Sequence, residues 1–361
     1  MGPRALIDLS ALAHNLRRAR SAAPASRVIA VVKSNGYGHG VLRAAKGLAE
    51  ADAFAVARVS EGIELRSAGI DKPIMVLGGA RTAQELSDGS DSNLELMVHH
   101  HSQVTLLENH DSARPVTCWL KVDSGMHRLG FLPGEAETVW QRLSELPSVQ
   151  GEVRLVTHMA NADDISDNAT IAQLERFNPV AERLGVQTSI ANSASTLGWP
   201  NAHGDWVRPG IMLYGASPFL NGSAEQDGLR PVMTLETRLM AVNHLPEGSS
   251  IGYGGTWCCP EAMPVGVAAI GYGDGYPRHA PSGTPVLVNG KRVPLVGRVS
   301  MDMITLDLRS QPDTEVGDTV TLWGEGLPAD EIARAAGTIA YELFCGVTRR
   351  VRFEEVDGQE H

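Results

Sequence analysis

Short apolar runs alternate with amphipathic stretches over the first two-thirds of the chain. The apolar runs are rich in β-branched residues and have the length of buried strands. They lie at residues 27–32, 53–57, 73–77, 94–98, 116–122, 152–157, 187–191 and 206–213, and predicted helices between them include residues 41–50, 60–67, 135–146 and 172–184. Because strands that alternate with helices form a parallel sheet, eight such units predict a closed (β/α)8 barrel.

Beyond Asp227 the pattern changes, and predicted helices almost vanish. Short strands are predicted at residues 232–245, 264–271, 284–288, 291–296, 303–308 and 319–323, with one helix at residues 328–336. Turns rich in Gly, Pro and Asn separate these strands. We therefore expect an α/β protein with two domains, a TIM-like barrel over residues 1–228 and a smaller, mostly β domain over residues 229–361.

Composition excludes several classes of partner. The 361 residues carry a net charge of −11, whereas a nucleic acid or an anionic membrane needs a basic face. No stretch approaches the roughly 20 consecutive apolar residues of a spanning helix, and the first residues lack the apolar run of a signal peptide. The four cysteines show no metal-ligand spacing. We expect a cytoplasmic protein with reduced thiols and with neither nucleic-acid nor membrane partners.

Polar residues follow the predicted barrel strands at their C-terminal ends. They are Lys33, Lys121, His158, Ser193 and Arg208. In a (β/α)8 barrel this end of the strands holds the active site. The pattern therefore gathers these side chains at one candidate site.

Lys33 ends an apolar strand and precedes a glycine-rich turn, in the sequence AVVKSNGYGHG at residues 30–40. A desolvated lysine amine in such a place can condense with an aldehyde. A lone lysine at a strand end is more often a surface residue, so this stretch alone leaves both interpretations open.

The stretch around Lys33 resembles the pyridoxal-phosphate attachment motif of bacterial alanine racemases. Seven further motifs resemble the same family in the same order: LKVDSGMHRLG (120–130), THMANAD (157–163), VRPGIMLYG (207–215), IGYGGTW (251–257), GYGDGYPR (271–278), GRVSMDM (297–303) and AYELFCGVTRRV (340–351). The resemblance implies an enzyme that uses pyridoxal 5′-phosphate to interconvert L-alanine and D-alanine, which supplies D-alanine for peptidoglycan. It also implies a homodimer with shared active sites.

The resemblance assigns roles in cofactor binding. Lys33 would hold the cofactor, and Arg208 would face its pyridine nitrogen. The phosphate cradle would consist of Tyr37, Ser193, the amides of Gly210 and Ile211, and Tyr341. Taken singly, a serine after a strand is more often a helix cap, and a tyrosine such as Tyr341 more often an ordinary residue of an amphipathic helix.

A racemase needs two acid-base groups on opposite sides of the substrate α-carbon. By resemblance Lys33 supplies one, and Tyr253 from the partner subunit supplies the other. His158, next to Arg208, would relay charge and lower the pKa of this tyrosine. The alternatives are an ordinary turn tyrosine, since glycines flank Tyr253, and a core histidine at position 158.

The substrate carboxylate would be bound by Arg128 and the region of Met301 and Asp302. The resemblance implies that Lys121 is carbamylated and so positions Arg128. Simpler ion pairs are also open, between Lys121 and Asp123 and between Arg208 and Asp205.

Three consecutive histidines, at positions 99–101, form the one tempting metal cluster. Consecutive side chains point in different directions, so we expect no metal site.

The sequence leaves three alternative functions to be considered. A racemase of another small amino acid, such as serine, would share these motifs. A decarboxylase of the same two-domain layout is disfavoured by Tyr253 and Arg208. A non-catalytic pyridoxal-phosphate carrier would lack the second domain, which here spans the residues after Asp227.

Overall fold

The computed structural model describes residues 2–111 and 114–356, which fall into two compact units. One unit consists of Ala13–Leu213 and Ser217–Gly222, and the other contains the remaining described residues. The chain begins with β1 (Arg4–Asp8) and α1 (Leu9–Ala22). None of the described helices is both long and apolar enough to cross a membrane.

The first unit is built around eight parallel strands that close into a barrel. The strands are β2 (Arg27–Val31), β3 (Ala53–Val56), β4 (Ile74–Val76), β5 (Glu95–Val98), β6 (Cys118–Lys121), β7 (Arg154–Val156), β8 (Thr188–Ser189) and β9 (Trp206–Val207). All residues of β3, β4 and β6 are buried, because parallel strands of a barrel are covered on both faces. The predicted (β/α)8 barrel is confirmed.

Helical segments follow the barrel strands. They are α2 (Lys33–Tyr37), α3 (Val41–Gly47), α4 (Val59–Ser67), α5 (Ala83–Asp91), α6 (His101–Glu108), α7 (Pro133–Ser144), α8 (Ala169–Leu184) and α9 (Ser193–Gly198), and a 3-10 helix at Ile211–Tyr214 follows β9. The last strand is shorter than the predicted residues 206–213. It ends at Val207 because Pro209 has no amide hydrogen to continue the sheet.

The second unit is mostly β, as predicted. Its strands are β10 (Met233–Leu245), β11 (Ser250–Ile251), β12 (Trp257–Cys258), β13 (Met263–Ala268), β14 (Pro285–Val288), β15 (Lys291–Val296), β16 (Ile304–Asp307), β17 (Thr319–Trp323) and β18 (Arg352–Val356), with helices α10 (Ala329–Ala336) and α11 (Ala340–Gly346). Eight strands form one sheet in the order β13-β16-β15-β14-β17-β10-β1-β18, and β11 and β12 form a separate hairpin.

The N-terminal strand β1 belongs to this second sheet. It pairs antiparallel with β10 and parallel with β18. Residues 1–228 were all expected in the barrel domain, and this strand was not predicted. Its signal is a short alternation in which Ala5 and Ile7 are fully buried and their neighbours are partly exposed.

Candidate active site

The predicted site residues divide between the two units. The barrel unit contains Lys33, Tyr37, Lys121, Arg128, His158, Ser193, Arg208, Gly210 and Ile211, and the second unit contains Tyr253, Met301, Asp302 and Tyr341. Those in the barrel unit lie at or beyond the C-terminal ends of its strands. This is the edge at which barrels of this type hold their active sites.

Lys33 opens an unusual turn. The four residues that follow it, Ser34 to Tyr37, have φ angles of 55°, 54°, 60° and 50°. Side chains with a β-carbon avoid this left-handed region because the β-carbon approaches the following carbonyl oxygen. Strain of this kind persists only where surrounding contacts hold the backbone, and it concentrates at functional sites.

Two side chains hold this turn, and neither was predicted from the sequence. The Oδ1 atom of Asn35 accepts a hydrogen bond of 2.9 Å from the amide of Val41. The carboxylate of Glu61 accepts one of 2.8 Å from the amide of Ser34. Glu61 lies in the first turn of α4, so its capping position was the available signal.

Tyr37, Ser193 and Gly210 form a tight cluster of uncharged groups. A β-carbon on Gly210 would overlap the phenol oxygen of Tyr37 and lie 3.1 Å from its Cζ. The hydroxyl of Ser193 accepts a hydrogen bond of 2.8 Å from the amide of Gly210. Ser193 opens α9 and Ile211 opens a 3-10 helix, so helix N-termini border the cluster. Hydroxyls and helix amides of this kind suit a phosphate group.

Arg208 is buried, with 5% of its surface exposed. Its guanidinium donates hydrogen bonds of 2.6 Å to the hydroxyl of Ser189 and to the carbonyl of Thr157. Burial lowers the pKa of Arg208 to about 10, so the group stays charged at neutral pH. Asp205 instead accepts a hydrogen bond from the amide of Thr188, and no carboxylate among the described residues pairs with Arg208.

His158 lies beside this guanidinium, with its Nδ1 atom 3.4 Å from Nη2 of Arg208. Burial lowers the pKa of His158 well below its usual value, and the positive charges of Arg208, Lys121, Arg128 and Lys33 lower it further. The imidazole is therefore neutral at neutral pH and can accept a hydrogen bond from Arg208. The same charges make this region strongly attractive to anions.

Lys121 is buried at the end of β6. Burial, followed by the charges of nearby arginines, lowers the pKa of Lys121 to about 8. The carboxylate of Asp123 accepts hydrogen bonds from the amides of Gly125 and His127 at 3.1 and 2.9 Å. Within the described part of the chain, the ammonium of Lys121 forms no ion pair with it.

Tyr253 lies at the tip of the β11–β12 hairpin in the second unit. Its surface is 71% exposed, so the phenol is available to groups outside its own unit. Gly252, Gly254 and Gly255 all have positive φ angles. This backbone requires glycines, and it leaves the tyrosine unobstructed.

Asp302 and Met301 lie in a loop of the same unit. The carboxylate of Asp302 accepts a hydrogen bond of 2.6 Å from Arg350, which also lies 3.2 Å from Asp274. Met301 is about half exposed, and a β-carbon on Gly271 would overlap its carbonyl oxygen. Tyr341 lies on α11 with a partly exposed ring.

The three consecutive histidines have separate partners. The ring of His99 forms a hydrogen bond with the carbonyl of Gly78, and the ring of His100 forms one with the hydroxyl of Ser102. The ring of His101 packs edge-on against Phe131. In residues 2–111 and 114–356, no three His, Cys, Asp or Glu side chains are grouped as metal ligands.

Comparisons with known proteins agree with the fold and with the motifs. The family models "Alanine racemase, N-terminal domain" and "Alanine racemase, C-terminal domain" match residues 7–218 and 232–354. The alanine racemase of Nitrosococcus oceani is 56% identical over 349 residues, 97% of this chain and 98% of that protein. The biosynthetic alanine racemase of Escherichia coli O6:H1 is 50% identical over 353 residues, 98% of each chain.

Solved structures give the same result. The biosynthetic alanine racemase of Pseudomonas aeruginosa superposes with a TM-score of 0.95 at 43% identity, covering 98% of this chain and 99% of that one. The alanine racemase of Acinetobacter baumannii superposes with a TM-score of 0.93 at 37% identity, with the same coverage. The resemblance identified from the sequence motifs is confirmed, and the chain belongs to the alanine racemase family.

Proposed function

We propose that this protein interconverts L-alanine and D-alanine with pyridoxal 5′-phosphate as its cofactor. The observation that carries the proposal is the arrangement at the barrel edge. Lys33, the uncharged Tyr37–Ser193–Gly210 cluster and the buried cation of Arg208 all follow the C-terminal ends of barrel strands. This set matches an aldehyde that carries a phosphate at one end and a basic ring nitrogen at another.

The residues present fit this cofactor. Because Gly210 has no β-carbon, the phenol oxygen of Tyr37 lies against its backbone, and Ser193 presents a hydroxyl at the same place. When bound, the cofactor supplies an aldehyde that takes up the substrate amino group and a ring that withdraws electrons from the α-carbon. Lys33 would hold it covalently, and Tyr37, Ser193, Tyr341 and the backbone amides at Gly210 and Ile211 would bind its phosphate.

Arg208 limits how strongly electrons are withdrawn. Its guanidinium keeps its proton at neutral pH, so it would donate a hydrogen bond to the ring nitrogen and would supply no proton to it. This restraint favours return of a proton to the α-carbon over loss of the carboxylate. His158, neutral and next to Arg208, would connect this cation to the phenol of Tyr253.

Proton movement needs a group on each side of the α-carbon. We assign one side to the amine of Lys33 and the other to the phenol of Tyr253. Tyr253 is exposed at the tip of a hairpin, and this supports its use by a second subunit. The proposed enzyme is accordingly a homodimer with shared active sites.

The substrate carboxylate has cationic partners available. Arg128 is exposed beyond β6, and it contributes to the positive charge around His158. We assign carboxylate binding to Arg128 together with the loop of Met301 and Asp302. Lys121, as a carbamate, would be the anion that holds Arg128 in place.

The biological setting is proposed with the activity. The relative from Escherichia coli O6:H1 is named a biosynthetic alanine racemase. We propose that this protein likewise supplies D-alanine for peptidoglycan, and that it works in the cytoplasm.

The test is a racemisation assay on purified protein reconstituted with pyridoxal 5′-phosphate, over a panel of L-amino acids that includes serine. We expect alanine to react fastest and Lys33→Ala to be inactive. Borohydride reduction followed by peptide mapping should fix the pyridoxyl mass on the peptide that contains Lys33. Faster racemisation of serine would overturn the substrate assignment, and label on another lysine would overturn the role of Lys33.

A further inference from the structure

His39 lies inside the glycine-rich loop and is fully buried. Its Nδ1 atom lies 3.1 Å from the carbonyl oxygen of Gly36 and 3.0 Å from that of Tyr37. A carbonyl oxygen can only accept a hydrogen bond, so Nδ1 must hold the ring proton and donate it. The geometry thus fixes both the tautomer and the direction of the contact.

The two carbonyls belong to the strained turn after Lys33. Gly36 and Tyr37 are left-handed, with φ angles of 60° and 50°, and Gly38 after them is left-handed as well. The backbone amide of His39 also donates a hydrogen bond of 2.9 Å to Gly36. His39 therefore binds the end of the turn twice, through its backbone and through its ring.

Tyr37 is the residue whose direction this turn decides. Its φ angle is positive, and its buried side chain contacts the backbone of Gly210. A tyrosine prefers the extended or right-handed region. Loss of the hydrogen bonds from the His39 ring would therefore let residue 37 relax toward one of these regions. The phenol would then leave the space beside Gly210.

Burial also keeps the hydrogen bonds from the His39 ring independent of pH. Desolvation lowers the pKa of His39 to about 4, so the ring is neutral and holds a single defined proton across the physiological range. A neutral donor adds no charge to a loop that must accept an anionic group.

We propose that His39 is a positioning residue for the phosphate cradle, because its Nδ1 donor holds the left-handed turn that aims Tyr37 at Gly210. The inference rests on the proposed function, since it takes the Tyr37–Ser193–Gly210 cluster as the cofactor's phosphate site. In the proposed site His39 would touch neither cofactor nor substrate, and it would act through Tyr37.

The competing explanation is that the imidazole only fills space in the loop. Two substitutions separate the explanations. His39→Phe keeps an aromatic ring and removes the donor, whereas His39→Asn removes the ring and keeps an amide nitrogen at the place of Nδ1. The positioning role predicts that Asn is the better replacement, and space filling predicts Phe.

The measurement is the affinity of each apoprotein for pyridoxal 5′-phosphate and for pyridoxal, which lacks the phosphate, by absorbance titration. His39→Phe should weaken binding of the phosphate ester about tenfold, the effect of one lost hydrogen bond, and leave pyridoxal affinity within about twofold. His39→Asn should keep the ratio of the two affinities close to that of the parent. Combined with Tyr37→Phe, His39→Phe should lower the ratio no further than Tyr37→Phe alone.

The inference would be overturned if the ratio of phosphate-ester affinity to pyridoxal affinity stayed at the parent value in His39→Phe and fell in His39→Asn. It would also be overturned if His39→Phe weakened the binding of both ligands equally. If His39→Phe does not fold, His39→Gln replaces it, since its amide nitrogen takes the place of Nε2 and should give the same low ratio. If the parent itself binds pyridoxal as tightly as the phosphate ester, the proposed cofactor site fails and the role of His39 fails with it.

Discussion

The phenol oxygen of Tyr37 lies in the space that a β-carbon on residue 210 would occupy. Gly210 is therefore not interchangeable with alanine, although its φ angle is not among the positive ones. Its lack of a side chain lets an aromatic hydroxyl approach the backbone where the hydroxyl of Ser193 also binds. This close approach is the physical basis of the proposed phosphate cradle.

Gly210→Ala should displace Tyr37 and disrupt the cradle. We expect a loss of stability of roughly 1–3 kcal/mol, as for other overpacked sites. Affinity for pyridoxal 5′-phosphate should fall at least about tenfold, because the phenol can no longer reach its place. Thermal unfolding of the apoprotein and absorbance titration with the cofactor measure the two effects.

Gly134→Ala is the matched control. Gly134 lies in α7 and is exposed, and a β-carbon there would meet nothing within 4 Å. This variant should be neutral or stabilised by up to about 1 kcal/mol. Adding Tyr37→Phe to Gly210→Ala removes the overlapping oxygen and should restore part of the stability. Unchanged cofactor affinity in Gly210→Ala would contradict the cradle.

A second prediction concerns Lys121. Its pKa of about 8 leaves much of the amine neutral near that pH, and a neutral amine adds carbon dioxide to form a carbamate with release of one proton. Acidification protonates the amine and reverses the reaction. We therefore expect protein equilibrated with 13C-bicarbonate at pH 8 to show a carbamate signal by 13C NMR that disappears below about pH 6.

Electron density from crystals grown near pH 8 provides the independent check. Density should extend beyond Nζ of Lys121 by a carboxylate-sized group, and Lys121→Ala should lack the NMR signal. Lys291, exposed on β15, should show only its own ammonium in the same map. Bare density at Lys121 with Asp123 turned toward it would favour the simple ion pair instead.

The barrel was predictable because its strands are buried on both faces and so appear as continuous β-branched runs. The same rule failed at β1, where Ala5 and Ile7 alternate with partly exposed neighbours over only five residues. Nothing local to these residues indicates a partner more than 200 positions away, yet Arg4 pairs with Glu236 in the sheet. Pairing of this kind is set by tertiary packing.

The strand-end positions of the proposed site residues were predictable, but the contacts that support these residues were not. The glycines around Tyr37 indicated a turn, and asparagine is a residue type that tolerates the left-handed region, whereas the left-handed conformation of Ser34 has no sequence signature. The ion pairs between Lys121 and Asp123 and between Arg208 and Asp205 were plausible by spacing. Both aspartates instead bind backbone amides, a choice that depends on loop geometry.

A third prediction is that each active site uses two subunits. Lys33→Ala and Tyr253→Phe should each be inactive as homodimers, and mixing them with subunit exchange should restore activity. Random pairing makes half of the dimers hybrid, and each hybrid has one intact site, so recovery should approach about a quarter of wild-type sites. Native mass spectrometry measures the exchange. No recovery despite hybrid dimers would mean that both groups come from one chain.

The last prediction assigns a direction to each base. By family resemblance, Lys33 removes the α-proton of D-alanine and Tyr253 that of L-alanine. Tyr253→Phe must slow racemisation in both directions, because no enzyme variant changes the equilibrium between enantiomers. The half-reactions of α-proton exchange need not slow together, since each depends on one base.

In deuterated water, Tyr253→Phe should still exchange the α-proton of D-alanine through Lys33, with retention of configuration. L-alanine should keep its α-proton, because the phenol that would remove it is absent. Proton NMR and chiral chromatography follow exchange and configuration in the same sample, with wild-type protein as the control that exchanges both enantiomers. Faster exchange of L-alanine would reverse the two roles. Exchange of both enantiomers at the wild-type rate would show that Tyr253 is not a base, and the two-base mechanism would then be wrong for this protein.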